Sequence, residues 1–249
     1  MRVVGERFRD LQRSFFEHAD VEHFHWQTTN PLIAATEREL LAGFPFPPRG
    51  AVLEVGCGEG GNLANLAAVA RSEARLVVGM DLFERKVAFG LRQVATARFV
   101  CGDALALPFK DGSFDAVLCR DLLHHLEDRG PAIAELRRIC RPGGELWILE
   151  PNGRNPLMIL LAAIRPHERG LLRNSSDRLG TLVAEHFPGP KVEVRQPMPI
   201  YRLVLHHKFG LPRLGEHRVA RSLMLGLERA IGVILPRRWW GYILVKVKT

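Results

Sequence analysis

Val52-Leu53-Glu54-Val55-Gly56-Cys57-Gly58-Glu59-Gly60-Gly61-Asn62 decides the fold. An apolar run breaks into a turn of glycines, and the residues that follow, Asn62 to Ala70, read as a helix. The glycines fit two spacings, GxGxG at 56, 58 and 60 and GxGxxG at 56, 58 and 61, so this stretch alone leaves a dinucleotide fingerprint open. Under either spacing the glycines do the same work. No Cβ blocks the tight turn or holds a ligand off the backbone, and the amides at the helix start face that ligand.

The flanking sequence repeats the pattern. Ala51 to Val55, Leu76 to Met80, Arg98 to Cys101, Phe114 to Cys119 and Glu145 to Leu149 are short apolar runs with little polar alternation. Helical stretches from about Glu84 to Ala95 and about Pro131 to Ile139 fall among them. Runs of this kind, separated by helices, mark parallel strands covered on both faces, so the architecture is α/β and doubly wound. Upstream, Phe44-Pro45-Phe46-Pro47-Pro48-Arg49-Gly50 cannot continue a helix and ends an N-terminal helical region. Downstream of Glu150 the rhythm changes. Helices from about Pro156 to Ile164 and Ser176 to His186 precede a sixth strand, Val192 to Arg195; a long helix, about Glu216 to Leu235, precedes a last strand, Tyr242 to Val247.

With 249 residues, 47% of them apolar, the chain can bury a sizeable core. Its net charge of +8 is unevenly spread: residues 151 to 249 hold 17 basic and 6 acidic side chains, while the rest is nearly balanced. That third expects an anionic contact, whether substrate, membrane surface or nucleic acid, or else is a solvated arginine-rich face. Cys57, Cys101, Cys119 and Cys140 form no CxxC pair and no His stands at metal-ligand spacing, so reduced thiols and no metal are expected. The first ten residues lack the apolar core of a secretory signal, and the longest apolar run, Leu157 to Ile164, falls short of the roughly 20 residues that span a bilayer. A soluble, cytoplasmic protein is expected.

Two acids choose between the cofactors. Asp81 follows the second strand, where a carboxylate accepts from both hydroxyls of an adenosine ribose, and this serves either cofactor. Asp103 in Gly102-Asp103-Ala104 ends the third strand, placed to accept from an adenine amine, and a dinucleotide leaves it unexplained. Leu107-Pro108-Phe109, Phe114-Asp115, His124-His125-Leu126 and Arg141-Pro142-Gly143-Gly144 follow. In order and spacing these motifs resemble class I S-adenosylmethionine-dependent methyltransferases, and among them the small-molecule branch that includes ubiquinone and menaquinone biosynthetic enzymes.

The resemblance covers about residues 50 to 150 and implies a Rossmann-like sheet of seven strands with the last two antiparallel. It implies S-adenosylmethionine as cofactor and S-adenosylhomocysteine as product. Glu54 and the loop of Gly56, Cys57, Gly58 and Asn62 would hold the methionyl part, Asp81 the ribose, and Asp103 with Ala104 the adenine; Leu82 would be a further cofactor contact, and Arg120 would lend backbone to the methionine end. Three parts follow: an N-terminal helical lid at 1–49, the cofactor-binding core at 50–150, and at 151–249 the rest of the sheet with helical insertions after strands 5 and 6 that cover substrate. Glu150-Pro151-Asn152, Asn155-Pro156 and Glu168-Arg169-Gly170-Leu171-Leu172 resemble stretches of a bacterial subgroup.

Methyl transfer from a sulfonium is an in-line displacement, so the protein chiefly aligns the reactants and excludes water. His124 and His125, at the C-terminal edge of the sheet, are the candidate base; otherwise one packs under the loop and the other is solvated. Phe15, Phe16, His18, His23, Phe24, His25 and Trp26 suit a lid over the cofactor or a helix packed on the sheet, and His25, Trp26 and Asn152 are the candidate lid or substrate residues. Val219, Leu223, Leu227, Ala230, Ile231 and Ile234 make an apolar stripe beside Arg218, Arg221 and Arg229, and Pro236-Arg237-Arg238-Trp239-Trp240 follows. The stripe reads as a face packed on the core or on a second subunit, or as a membrane interface. The expected function is methylation of a small, apolar or amphipathic, lipid-like or natural-product-like acceptor by a monomer or homodimer, with no nucleic-acid partner and with room for peripheral membrane contact. A methyltransferase acting on RNA or protein, and a non-enzymatic cofactor-binding protein, are the alternatives.

Overall fold

The five apolar runs from Ala51 to Leu149 and the two strands expected after them form one seven-stranded sheet, ordered β3-β2-β1-β4-β5-β7-β6. The computed structural model describes residues 22–45, 50–69, 75–207 and 210–249. Strands β1 (Gly50–Val55), β2 (Arg75–Asp81), β3 (Arg98–Cys101), β4 (Phe114–Arg120) and β5 (Cys140–Pro151) are mutually parallel. β6 (Lys191–Arg195) and β7 (Tyr242–Lys248) pair antiparallel, as the resemblance implies, and β7 also runs against β5.

Because side chains alternate across a strand, the strands divide between two cores. Leu53, Val55, Val117, Cys119, Leu146 and Ile148 face one way, onto Ile133 and Leu136 of α5 (Gly130–Ile139) and Leu179 and Val183 of α7 (Ser176–Ala184). Val52, Ala116, Leu118, Trp147 and Leu149 face the other way, onto Leu40 of α2 (Pro31–Leu40), Leu66 of α3 (Gly61–Val69), and Met158 and Ala162 of α6 (Pro156–Ile164). Both faces are dry, which is why the runs carry no polar alternation. The remaining helices are α1 (Glu22–Thr29), α4 (Glu84–Gln93), α8 (Ile200–Val204) and α9 (Arg218–Ile234).

Asn-Pro pairs start two helices. Asn30 and Asn155 accept at Oδ1 from the second and third amides of α2 and α6, and the proline at the first position needs no donor. β5 begins five residues before the expected Glu145, because Arg141-Pro142-Gly143-Gly144 runs into it. Phe15, Phe16 and His18 of the aromatic stretch, and Phe46 to Arg49 of the proline cluster, lie outside the described residues.

One expectation changes here. The stripe on α9 does not pack on the core: Val219, Leu223, Leu227 and Ile234 are exposed, while Met224 and Leu225 on the other side join a cluster of Trp26, Leu32, Ile33, Tyr201 and Leu205. α9 therefore has two apolar faces, and the sequence stripe is the outer one.

Candidate functional site

Parallel strands end at one edge, and the candidate residues gather there. Val55 pairs with Met80 and Cys119, Asp81 with Cys101, and Arg120 with Leu149, so the segments after β1, β2, β3, β4 and β5 leave the sheet side by side. The strand order reverses at β1, between β2 and β4, where doubly wound sheets open a crevice.

The glycine loop is fastened to that crevice by its own backbone. The Gly56 and Cys57 amides both donate to the Met80 carbonyl, at 2.8 and 2.9 Å. Gly56 has φ 78°, and a Cβ there would lie 3.1 Å from Leu122 Cβ. Gly58 has φ 55°, yet a Cβ would meet nothing within 4 Å, so its backbone borders open space. Its amide donates to Asp81 Oδ2 at 2.9 Å, and the Phe83 amide donates to Oδ1 at 3.0 Å. Each Asp81 oxygen thus has one backbone donor and keeps a lone pair for a further one. Cys57 turns its side chain into the core beside Leu63, and burial pushes its thiol well up, so only its backbone is available to a ligand.

Glu54 is wholly buried at the floor of the loop. Its Oε1 accepts from Asn62 Nδ2 at 2.7 Å, and its Oε2 has no hydrogen-bond partner among the described residues. Burial pushes the carboxyl up to about 8, against the pull of Asn62 and Arg120. A cationic ligand group at Oε2 would answer both facts. Asn62 is fully engaged: its Oδ1 accepts from Arg120 Nη1 at 2.7 Å, so it orients Glu54. Arg120, 2% exposed, extends its Nη2 to Glu37 Oε2 at 2.5 Å, and Arg202 donates to the other Glu37 oxygen. Burial would raise the Glu37 carboxyl, but the two guanidiniums hold it below its ordinary range. Glu37 and Arg202 carry no motif, and sequence reading missed both.

Toward the adenine end, Asp103 is exposed and accepts the Leu105 amide at Oδ1, 2.9 Å, while Ala104 is buried. Leu82 is 56% exposed beside them, a bare apolar surface at the end of β2.

His124 is where the sequence reading needs correcting. It is buried, with Nδ1 2.7 Å from Glu150 Oε2 and Nε2 3.1 Å from Glu168 Oε2. Burial opposes a charged imidazole, yet the two carboxylates push it up to about 10, which favours an imidazolium donating at both nitrogens over a base near neutrality. Glu150 is held down at about 2 despite its burial, by His124 and by the Leu122 and Leu123 amides. His125 lies with its ring centroid 3.9 Å from that of His124, and burial together with the His124 charge pushes it down to about 3. Of the pair, His125 alone is neutral. Donor atoms of His124, His125 and Glu168 lie within 4.8 Å of one another, a grouping that sequence spacing did not reveal because Glu168 is more than 40 residues away.

Two lid candidates are placed differently from expectation. Asn152 is wholly buried; its Nδ2 donates to the carbonyls of Arg238 and Trp240 and its Oδ1 accepts the Arg154 amide, so backbone occupies it. Trp26 is buried too, its indole N–H donating to the Leu205 carbonyl, which makes it an anchor between α1 and α8. His25 is exposed and, together with an edge of Trp26, lines a cleft of about 300 Å³ closed by Asn30, His207, Arg213 and Glu216. A Cβ on Gly61 would collide with Gln27, so α1 does lie across the start of α3 and the glycine loop.

Residues 53–148 match a family model described as a methyltransferase domain. A demethylmenaquinone methyltransferase of Roseiflexus castenholzii is 36% identical over 136 residues, covering 53% of this chain and 52% of that protein. Norajmaline N-methyltransferase of Rauvolfia serpentina is 32% identical over 132 residues, covering 51% and 44%. The chain spans about half the length of the curated relatives it matches. Geranyl diphosphate C-methyltransferase of Streptomyces coelicolor A3(2), solved with Mg²⁺, geranyl diphosphate and S-adenosyl-L-homocysteine, shares the fold at TM-score 0.57 and 18% identity, over 86% of this chain and 80% of that one.

Proposed function

We propose that this chain, whose residues 53–148 match a methyltransferase domain and resemble the quinone-biosynthesis methyltransferases, methylates a small, apolar or amphipathic acceptor from S-adenosylmethionine as a class I enzyme. The observation that carries the reading is the pairing of a buried Glu54 oxygen, unpartnered among the described residues, with an Asp81 carboxylate that keeps free lone pairs, on either side of a loop whose Gly58 borders open space. S-adenosylmethionine supplies, when bound, a methyl group on a positively charged sulfur. Glu54 Oε2 takes the ammonium of the methionyl part, and Asp81 accepts from the ribose hydroxyls. Asp103 accepts from the adenine amine over Ala104, and Leu82 covers an apolar edge of the same end. Asn62 and Arg120 hold Glu54 in place, with Arg120 backed by Glu37.

The protein's contribution to the displacement is alignment and exclusion of water. His124 fixes the loop after β4 between two carboxylates; His125 beside it is pushed too low to draw a proton from an acceptor hydroxyl, so neither histidine is assigned as a base. The insertions after β5 and β6 leave the ligand edge of the sheet and enclose the acceptor, while α1 and α2 form the lid part of 1–49. The relatives and the structural neighbour above are named for small molecules, which supports a small acceptor over RNA or protein. No described helix is long and apolar enough to cross a membrane. The reading places the protein in the cytoplasm as a monomer or homodimer, with its basic C-terminal third touching a membrane surface.

Incubating the protein with radiolabelled S-adenosylmethionine in an extract of its source cells, then partitioning the products, tests the acceptor class. Label should enter the organic-solvent fraction. Label confined to the nuclease-sensitive or protease-sensitive fraction would rule out the small-molecule reading.

A further inference from the structure

α9 holds an outward face that stays exposed among the described residues. Its inner side buries Glu228 and lays Met224 and Leu225 on the Trp26–Tyr201–Leu205 cluster. Its outer side shows Val219 at 72% exposure, Leu223 at 68%, Leu227 at 51%, Val233 at 87% and Ile234 at 84%. At 100° per residue these positions fall within one sector of the helix, with the exposed Gly226 and Ala230 between them. A helix of 17 residues is about 25 Å long, so the face is a continuous apolar strip and not scattered surface leucines.

The charges around the strip select its occupant. From residue 218 to residue 240 the acidic side chain is Glu228 alone, and it points inward; the cations are Arg218, Arg221, Arg229, Arg237 and Arg238. Arg218 and Arg229 are exposed along one edge of the strip, and Arg237, Arg238 and Trp239 are exposed in the turn that follows. That turn is held in place: Asn152 and Asn155 donate to the carbonyls of Arg238 and Trp239, and a Cβ on Gly232 would run into Pro197, so the end of α9 and the turn form one rigid unit. Two copies meeting through this face would set five arginines against five, with Glu216, exposed just ahead of the helix, as the one flanking acid. A nucleic acid would match the arginines and leave five large aliphatic side chains in water. An anionic lipid surface satisfies both, with aliphatics below the headgroups and arginines and Trp239 at their level.

We propose that the outer face of α9 with Arg237, Arg238 and Trp239 is a docking surface for an anionic lipid membrane, with the helix lying in the plane of the interface. The proposal deepens the membrane contact in the functional reading and rests on it for the partner alone; the cofactor and the reaction are independent of it. Through its inner face the same helix packs on α8, whose Arg202 grips Glu37 behind Arg120 and Glu54, so the docked surface backs directly onto the cofactor end of the site.

The test is co-sedimentation of the full chain with vesicles of phosphatidylcholine alone and of phosphatidylcholine with phosphatidylglycerol. Binding to the anionic vesicles is expected, weakened by salt, with none to the neutral ones. Arg237→Glu with Arg238→Glu should weaken it by roughly fivefold or more per arginine, and Leu223→Glu with Val233→Glu should abolish it. These residues are exposed, so each variant should keep the wild-type melting temperature and affinity for S-adenosylmethionine. Absence of vesicle binding by the wild type, or binding that both variants retain, would overturn the proposal. So would a dimer that Leu223→Glu with Val233→Glu dissociates in the absence of vesicle binding, which would give the face to a second copy. Intact cofactor binding in samples that fail to bind vesicles separates this failure from failure of the methyltransferase reading.

Discussion

Replacing Glu150 with alanine is expected to cost the fold about 3–5 kcal/mol, the range for removing one partner of a buried ion pair. The Glu150 carboxylate accepts from the Leu122, Leu123 and His124 amides, from the His124 ring and from Asn174, and all of these donors stay buried when it goes. For a domain of this size the melting temperature should fall by roughly 6–20 °C. A fall under about 2 °C would contradict the account. The same pair fixes a pH window. His124, raised to about 10, contributes stability that is fully present below its unfolded value near 6.5 and is lost as pH rises through 10. Glu150, lowered to about 2, contributes stability that is present above its unfolded value near 4.5 and is lost as pH falls through 2. Glu150→Gln should flatten the acid side of the melting-temperature profile.

Asp81→Ala should weaken S-adenosylmethionine binding by at least about a hundredfold, and Asp103→Ala by roughly ten- to a hundredfold. Two ribose hydroxyls lose a charged acceptor in the first case and one amine in the second, at roughly 1.5–3 kcal/mol each. The structure widens the gap. Asp81 is buried and also anchors the Gly58 amide, so its loss frees the loop, whereas Asp103 is exposed and anchors Leu105 beyond the loop. Calorimetric titration of both variants decides it. Asp81→Ala within threefold of wild type would remove the ribose from this position.

The strands were legible because burial on both faces leaves unbroken apolar runs, and the glycine loop because positive φ at Gly56 and Gly58 restricts the residue type. What the sequence hid has a common physical origin. Glu37 and Arg202 meet Arg120 across long chain separations, and on their helices they look like an ordinary solvated face until packing buries them. Two adjacent histidines suggested one base; Glu150 and the distant Glu168 bracket His124 and push it up, while burial and the His124 charge push His125 down. Asn152 and Trp26 are polar or aromatic residues near a ligand edge, but their donors are taken by backbone carbonyls that no sequence pattern announces. On α9 the apolar periodicity was visible, but periodicity does not say which side meets the core. Met224, Leu225 and Glu228 make the inner contact, and the stronger stripe faces out.

The central claim is that the loop from Gly56 to Asn62, with Glu54, Asp81 and Asp103, is built for S-adenosylmethionine and not for a dinucleotide. The most direct test is the melting temperature of the full chain with S-adenosylmethionine, S-adenosylhomocysteine or NAD, each near 100 times the dissociation constant of the tightest binder. The tighter of the first two should stabilise by about 2.7 kcal/mol, the other by less, and NAD should leave the melting temperature unchanged. Stabilisation by NAD equal to or above that of S-adenosylmethionine would contradict the account.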